Sequence, residues 1–301
     1  MPAPARATLP LPFPVDLGLT LGPLQRGAGD PTIRFGDAEV WRAARTPEGA
    51  ASLHLRVLRG SVDAEAWGDG AQWMLDRVPR LLGFDDVPDS FQPHGGLVAE
   101  LHHRYPGLRL GSTGLVFEAL LPTILEQKVP GVEAWASYRA LVRRLGEPAP
   151  GNVGLFLQPS PERLQATPYW LVHKVGIERR RFGVIQNAAS LAGGVNRTAA
   201  LPPAQARTLL MSLPGVGPWS VAEVSVVALG DRDAVSTGDY HLPHQVAWAL
   251  AQEPRGSDAR MLELLEPYRG HRARVIRLLT IGGIQPPRFG PRMRLRAIAR
   301  L

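Results

Sequence analysis

The sequence predicts an α+β first part, a small antiparallel sheet with a helix on it, followed by a mainly α-helical second part. Three observations carry that expectation. Apolar residues alternate with period 2 before residue 60, helical spacing takes over after Gly96, and a glycine hairpin, Leu213-Pro-Gly-Val-Gly-Pro-Trp-Ser220, separates two apolar helical stretches. The 301 residues suit about two domains on a prior of ~150 residues each. The change of pattern puts them at 1–108 and 109–301, with the hairpin at 213–218.

Residues 1–30 are rich in Pro and Gly and read as irregular. Strands follow at Thr32–Phe35, Glu39–Arg45 and Ser52–Leu58. In the last, Leu53, Leu55 and Val57 alternate with His54 and Arg56, the mark of a half-buried strand. Gly36-Asp37 and Pro47-Glu48-Gly49 supply turns. A helix spans Ala71–Leu82, bent or shortened by Pro79. Beyond Gly96 the helical stretches are Val98–Arg104, Gly114–Lys128, Val132–Leu145, Ser160–Leu164, Glu178–Leu191, Pro203–Leu213, Trp219–Leu229, Tyr240–Leu250, Asp258–Leu265 and His271–Ile281. Thr113, Ser160 and Ser257 are natural N-caps.

The hairpin is the most informative segment. Ala206, Leu209, Leu210 and Leu213 follow the i, i+3, i+4, i+7 spacing of one apolar helical face. From Trp219 to Leu229 the chain is apolar almost all round and stops at Gly230, a glycine C-terminal signal. The second helix therefore starts where Gly215 and Gly217 leave N–H donors unpaired. Such a start suits an anion, and a nucleic acid is the commonest long one with regular phosphates. Asp239 then sits where it would cap the helix Tyr240–Leu250, and Pro243 makes the opening turn of that helix irregular. Asp231 and Asp233 in the same loop read as solvated acids.

The hairpin resembles that of the helix-hairpin-helix (HhH-GPD) DNA glycosylases, and its Gly-Pro-Trp-Ser form is most similar to the 3-methyladenine DNA glycosylase II branch. Phe117–Val129 (FEALLPTILEQKV) resembles the first core helix of that family, and Pro267-Tyr-Arg-Gly-His-Arg272 resembles a later signature. Order and spacing agree over roughly residues 110–285.

The resemblance implies a monofunctional glycosylase that flips an alkylated purine (3-methyladenine or 7-methylguanine type) out of duplex DNA and leaves an abasic site. Alternatives are a glycosylase for deaminated purines such as hypoxanthine, or a catalytically silent helix-hairpin-helix DNA-binding protein. Asp239 matches the catalytic aspartate of the family. Trp219 and Tyr268 match aromatic pocket positions, with Gln127 and Tyr240 beside them. Tyr169 and Trp170 are further wall candidates, although core packing is the favoured reading of Trp170. Gly215, Val216, Gly217 and Ser220 face DNA, as do Arg269 and Arg272. The sequence departs from the family at two positions: Lys128 stands at the apolar wedge, and Glu223 stands where an aromatic is common. Strand-cleaving relatives carry a lysine two residues after the second hairpin glycine. Trp219 occupies that position and cannot form a Schiff base. The resemblance implies no cofactor and no catalytic metal, despite His241 and His244, but allows a structural monovalent cation at the Leu213 and Val216 carbonyls.

Composition narrows the field further. The chain is 45% hydrophobic and 20% charged, ordinary for a globular protein. It has no cysteine, which excludes disulfides, thiolate zinc sites and the iron–sulfur cluster typical of the endonuclease III and adenine-mismatch branches. The net charge is +7, and from Pro267 to Leu301 there are nine arginines and no Asp or Glu, a tail read as phosphate-facing. No apolar run reaches the ~20 residues of a spanning helix, and the start MPAPARATLPLPFP is too proline-rich for a signal peptide. The expectation is therefore a cytoplasmic monomer whose partner is double-stranded DNA bearing a damaged base, with no membrane contact.

Overall fold

A computed structural model describes residues 3–86, 88–93 and 95–287. Arg288 and the arginines beyond it, part of the basic tail, lie outside the described residues.

The N-terminal part is a five-stranded antiparallel sheet of order β1-β5-β4-β3-β2. Its strands are β1 (Ala5–Pro10), β2 (Ile33–Gly36), β3 (Glu39–Thr46), β4 (Gly49–Leu58) and β5 (Ser61–Trp67). Two of these correct the sequence reading. β1 lies within the stretch taken as irregular; it is an edge strand, where the proline at its end costs no ladder bond, and it pairs Ala5 with Ala66 through Pro10 with Ser61. β5 has the same alternation as β4, with Val62, Ala64 and Ala66 all buried, a pattern muted because two of its three apolar positions are alanines.

Helix α1 (Ala71–Leu81) lays Met74, Leu75 and Val78 on Leu53, Leu55, Val62 and Ala64 to form the first core. Part of the other face of the sheet is covered as well. Ala149, Leu155 and Leu157, from the segment after the helix Gly131–Leu145, cover Ala43. His54, expected to face water, is buried there, with its ring stacked 3.8 Å from that of Trp41 and Nε2 2.9 Å from Glu39 Oε2. The strand is buried on both faces because a segment ninety residues downstream, on the order of a whole domain away, folds back over it.

The helical part has two further cores. The second joins α3 (Val116–Glu126), α4 (Gly131–Leu145), α5 (Arg179–Ser190), α6 (Pro203–Met211) and α7 (Pro218–Val224) through Leu120, Ile124, Leu141, Phe182, Ile185, Leu210 and Val221. The helix expected at Trp219–Leu229 is α7 followed by a π turn at Ser225–Leu229, ended by Gly230 with φ +67°. The expected Thr113 cap is also different. Thr113 Oγ1 accepts from Leu115 N, while the first turn of α3 is satisfied from afar, with Phe117 N donating to Asn196 Oδ1 at 2.9 Å. Ser160 and Ser257 cap as read.

The third core is non-local. Val98 and Leu101 on Gly96–Arg104 pack with Val246, Met261, Leu265, Leu278 and Leu279 from Leu242–Ala251, Asp258–Leu265 and Arg272–Ile281. Arg274 and Asp86, both fully buried, form an ion pair that ties this core to the segment after α1; Asp86 Oδ2 also accepts from Leu110 N at 3.0 Å. A buried charge stripped of its partner is far costlier than the pair itself contributes. Asp86→Ala is therefore expected to lose about 3–5 kcal/mol of unfolding free energy in urea titration, and Asp86→Leu combined with Arg274→Met to recover most of it. A loss below ~1 kcal/mol would mark the pair as behaving like a surface bridge.

Candidate active site

The site is built where α6 turns into α7. Gly215 has φ +82°, and a Cβ there would lie 2.4 Å from Val184 Cγ2 on α5. Only glycine meets both demands. Val216 N donates to the Leu213 carbonyl at 3.0 Å, closing the turn. Gly217, in extended conformation, is the N-cap of α7, and Pro218 occupies its first turn, where the missing N–H is no loss. The turn is held from the second core. Gln127, just past α3, donates from Nε2 to the Gly215 carbonyl and to Ser220 Oγ, both at 2.9 Å. Arg181 Nη2 in turn donates to the Gln127 carbonyl at 3.2 Å. Lys128, next in the chain, is exposed and has φ +57°, a left-handed conformation uncommon outside glycine and asparagine.

Asp239 faces this hairpin. Trp219 Nε1 donates to Asp239 Oδ2 at 2.9 Å, and His241 N and Leu242 N donate to Oδ1 at 2.7 and 2.8 Å. Asp239 is not itself the N-cap. That position is His241, because the helix Leu242–Ala251, hereafter the capped helix, begins two residues later than expected with Pro243 in its first turn. The carboxylate still satisfies the opening N–H groups, reaching over an irregular turn. Gly238 N, on its other side, donates to Asp258 Oδ2 at 2.8 Å.

Trp219 and Glu223 are one turn apart on α7 and share a face. Glu223 points inward. Its Oε1 accepts from Ser236 Oγ at 2.5 Å. Burial pushes its carboxyl above the ordinary carboxylate range; Arg26 opposes that shift, while Glu126 and Asp239 add to it. Arg26 Nη1 lies 3.3 Å from Glu126 Oε1, which also accepts from Trp135 Nε1 at 2.9 Å. Arg26, Glu126, Ser236 and Asn196 were not legible as site residues. Arg26, Ser236 and Asn196 stand in no local motif, and Glu126, although inside Phe117–Val129, takes its meaning from Arg26, 100 residues away.

The remaining expected residues are spread over the third core and the surface. Tyr268 is buried in the third core with Phe91. Tyr240, beside Asp239, is 74% exposed, its ring edge-on to His241. His244 Nδ1 accepts from Gly256 N at 3.0 Å. Arg272 grips Asp233 with two donors, Nε to Oδ1 at 2.8 Å and Nη2 to Oδ2 at 2.5 Å. Arg269 does the same to Glu266 at the surface. Asp231 and Asp233 are thus not solvated loop acids. Asp231 is buried against Arg207 and holds the loop before Asp239 to α6, while Asp233, which also accepts from Gly270 N at 2.7 Å, holds it to the start of Arg272–Ile281. Trp170 is not core but 58% exposed, with Lys174 Nζ 5.5 Å from its ring centre, and Arg179 stands 4.4 Å over Tyr169.

No protein-family model matches the chain. Over 170 residues, 55% of this chain, it is 28% identical to the probable bifunctional transcriptional activator/DNA repair enzyme AlkA of Mycobacterium tuberculosis. That match covers 34% of the relative, so the chain spans about a third of the length of the curated protein it matches. In fold it is similar to the 3-methyladenine DNA-glycosylase from Archaeoglobus fulgidus, with a TM-score of 0.78 at 17% identity over 91% of this chain and 97% of that one. It is also similar to the 8-oxoguanine glycosylase/lyase of Clostridium acetobutylicum solved with double-stranded DNA, at TM-score 0.69 and 11% identity, covering 89% and 91%. The chain is thus similar in fold to solved DNA glycosylases and, over 170 residues, similar in sequence to the AlkA relative. No described helix is long and apolar enough to cross a membrane.

The two hairpin glycines have different tasks, and substitution separates them. Gly215→Ala must hold φ +82° and displace Val184, an expected cost of about 1–3 kcal/mol read as a lower melting temperature. At Gly217 an added Cβ meets open space and φ is −107°, so Gly217→Ala is expected to melt close to wild type.

Proposed function

We propose that the chain is a monofunctional DNA glycosylase that removes alkylated purines of the 3-methyladenine and 7-methylguanine type from duplex DNA by base flipping, leaving an abasic site. The observation that carries this reading is the Asp239 carboxylate, fixed through both oxygens at the mouth of the hairpin by Trp219 Nε1, His241 N and Leu242 N. Alkylation at N3 or N7 makes the purine cationic and the glycosidic bond weak, so the leaving base needs little protonation. The protein has to supply negative charge near the sugar as an oxocarbenium-like centre develops, and an oriented water to attack it. Three donors hold Asp239 in place and leave its remaining lone pairs for that work.

The N–H groups of Gly215 and Gly217, on either side of the turn that Val216 N closes, suit one phosphate run. Exposed Lys128 is placed to fill the gap left by a flipped base, its stem among the bases and its ammonium toward phosphate. Trp219 gives the cationic base an electron-rich face and, standing where a lyase carries its amine, supports hydrolysis without strand cleavage. Arg269 stays at the surface for phosphate. Arg272, held by Asp233, positions the loop before Asp239 as much as it meets DNA. The protein acts as a monomer, since one flipped base needs one site.

The test is release of free base from methylated duplex DNA, followed by chromatography, for wild type and Asp239→Asn. Asparagine keeps an oxygen for His241 and Leu242 but turns an N–H toward the Trp219 N–H. The variant is expected to fold and bind DNA while base release falls by about 100-fold or more. Duplex binding without release of methylated purines or hypoxanthine would replace the enzyme with a DNA-binding module.

A further inference from the structure

Glu223 is the polar group of the site that the chemistry at the sugar leaves unused. It lies one turn of α7, about 5.4 Å, beyond Trp219 on the same face, toward the interior and away from the hairpin. Asp239, bonded to the Trp219 indole, marks the sugar end of the site. A purine lying against Trp219 with its glycosidic nitrogen toward Asp239 therefore points its far edge, the one bearing the 6-substituent, at Glu223. Ser236 holds Oε1 of that carboxyl. Oε2 has no hydrogen-bond partner among the described residues and is not sealed from solvent. A carboxyl packed among protein atoms on most sides, with one oxygen tethered and the other unbonded, keeps an acceptor for an incoming group.

We infer that Glu223 is a specificity-determining residue, its free oxygen accepting the N–H of a 6-amino group on the flipped base, so that alkylated adenines are preferred to alkylated guanines. This inference rests on the glycosylase reading above. A 6-amino purine offers two N–H donors at that edge, and positive charge on an alkylated adenine spreads onto the amine and strengthens it as a donor. A 6-oxo purine such as 7-methylguanine or hypoxanthine puts an oxygen at the 6-position, acceptor against acceptor, and can present its N1–H instead only by sliding along that edge; a buried acceptor left unmet is costly. Arg26 and Glu126 support the arrangement by fixing the floor around Glu223 through their mutual ion pair and the Trp135 indole. Burial already raises the Glu223 carboxyl; an incoming cation opposes that shift and favours the ionised acceptor.

Methylated duplex DNA carries both base types, so a single assay reads the ratio of 3-methyladenine to 7-methylguanine released per lesion. Glu223→Gln keeps the shape and the acceptor for Ser236 but presents a carboxamide that can donate to a 6-oxo group as well. Relative to wild type, the adenine-to-guanine ratio is expected to fall by about 10- to 100-fold in Glu223→Gln, chiefly through kcat/KM for 3-methyladenine, and to fall likewise in Glu223→Ala. Affinity for duplex containing an abasic site, where no base remains to be read, reports that both variants still fold and bind. A ratio unchanged in both variants overturns the assignment while leaving the glycosylase reading standing. Failure of wild type to release either base overturns the glycosylase reading and the assignment with it.

Discussion

The Asp239 carboxylate is the junction on which the rest of the site depends. Its two oxygens take donors from two different elements: the side chain of α7 through Trp219, and the backbone opening the capped helix through His241 and Leu242. One group therefore fixes the distance between the hairpin and the third core and also starts a helix whose proline cannot donate. A carboxylate is an acceptor at both oxygens, which is why it can serve both neighbours at once. An amide, alcohol or imidazole would present a donor to one of them.

Around that junction the molecule distributes its buried charges at seams between cores. Arg42 and Glu118 pair where the sheet meets the second core, with Gln158 Nε2 donating to the Glu118 carbonyl at 3.1 Å and to Tyr138 Oη at 2.9 Å. Burial raises the Glu118 carboxyl and Arg42 opposes it. Arg26 and Glu126 pair beside Glu223, and Arg274 and Asp86 pair at the third core. Pairs of this kind contribute little net stability compared with apolar packing of the same volume, but a wrong docking leaves charges unmet. They fix which faces meet, and the cleft geometry follows from that.

The parts of the structure legible in the sequence are those written in short-range pattern. Apolar spacing located β3, β4 and most helices to within a few residues, and the hairpin with its glycines located Gly215, Gly217, Trp219 and Asp239 together. Errors arose where a distant segment changes what a pattern means. His54 alternates like an exposed residue and is buried because Ala149–Leu157 covers the second face of the sheet. Thr113 looks like a cap, but Asn196 supplies that bond. Asp231 and Asp233 look like loop acids and are paired with arginines far along the chain. Glu223 shows the same limit from the other side: its position on α7 was readable, and its inward direction depends on Ser236, Arg26 and Glu126.

The third core has a consequence for the order in which the chain can become itself. Val98 and Leu101 emerge early in synthesis, yet the residues that cover them, from Val246 to Leu279, come near the end. Until then that early helix carries an apolar face without its partners, while the sheet and the second core can already close. Asp86 likewise waits for Arg274 across most of the chain. Long-range contacts of this sort slow folding because loop closure precedes any gain from packing. Completion of the region after Asp239 and maturation of the helix Gly96–Arg104 are thus one event, so the Asp239 carboxylate is locked in place only when the early and late parts of that core have met.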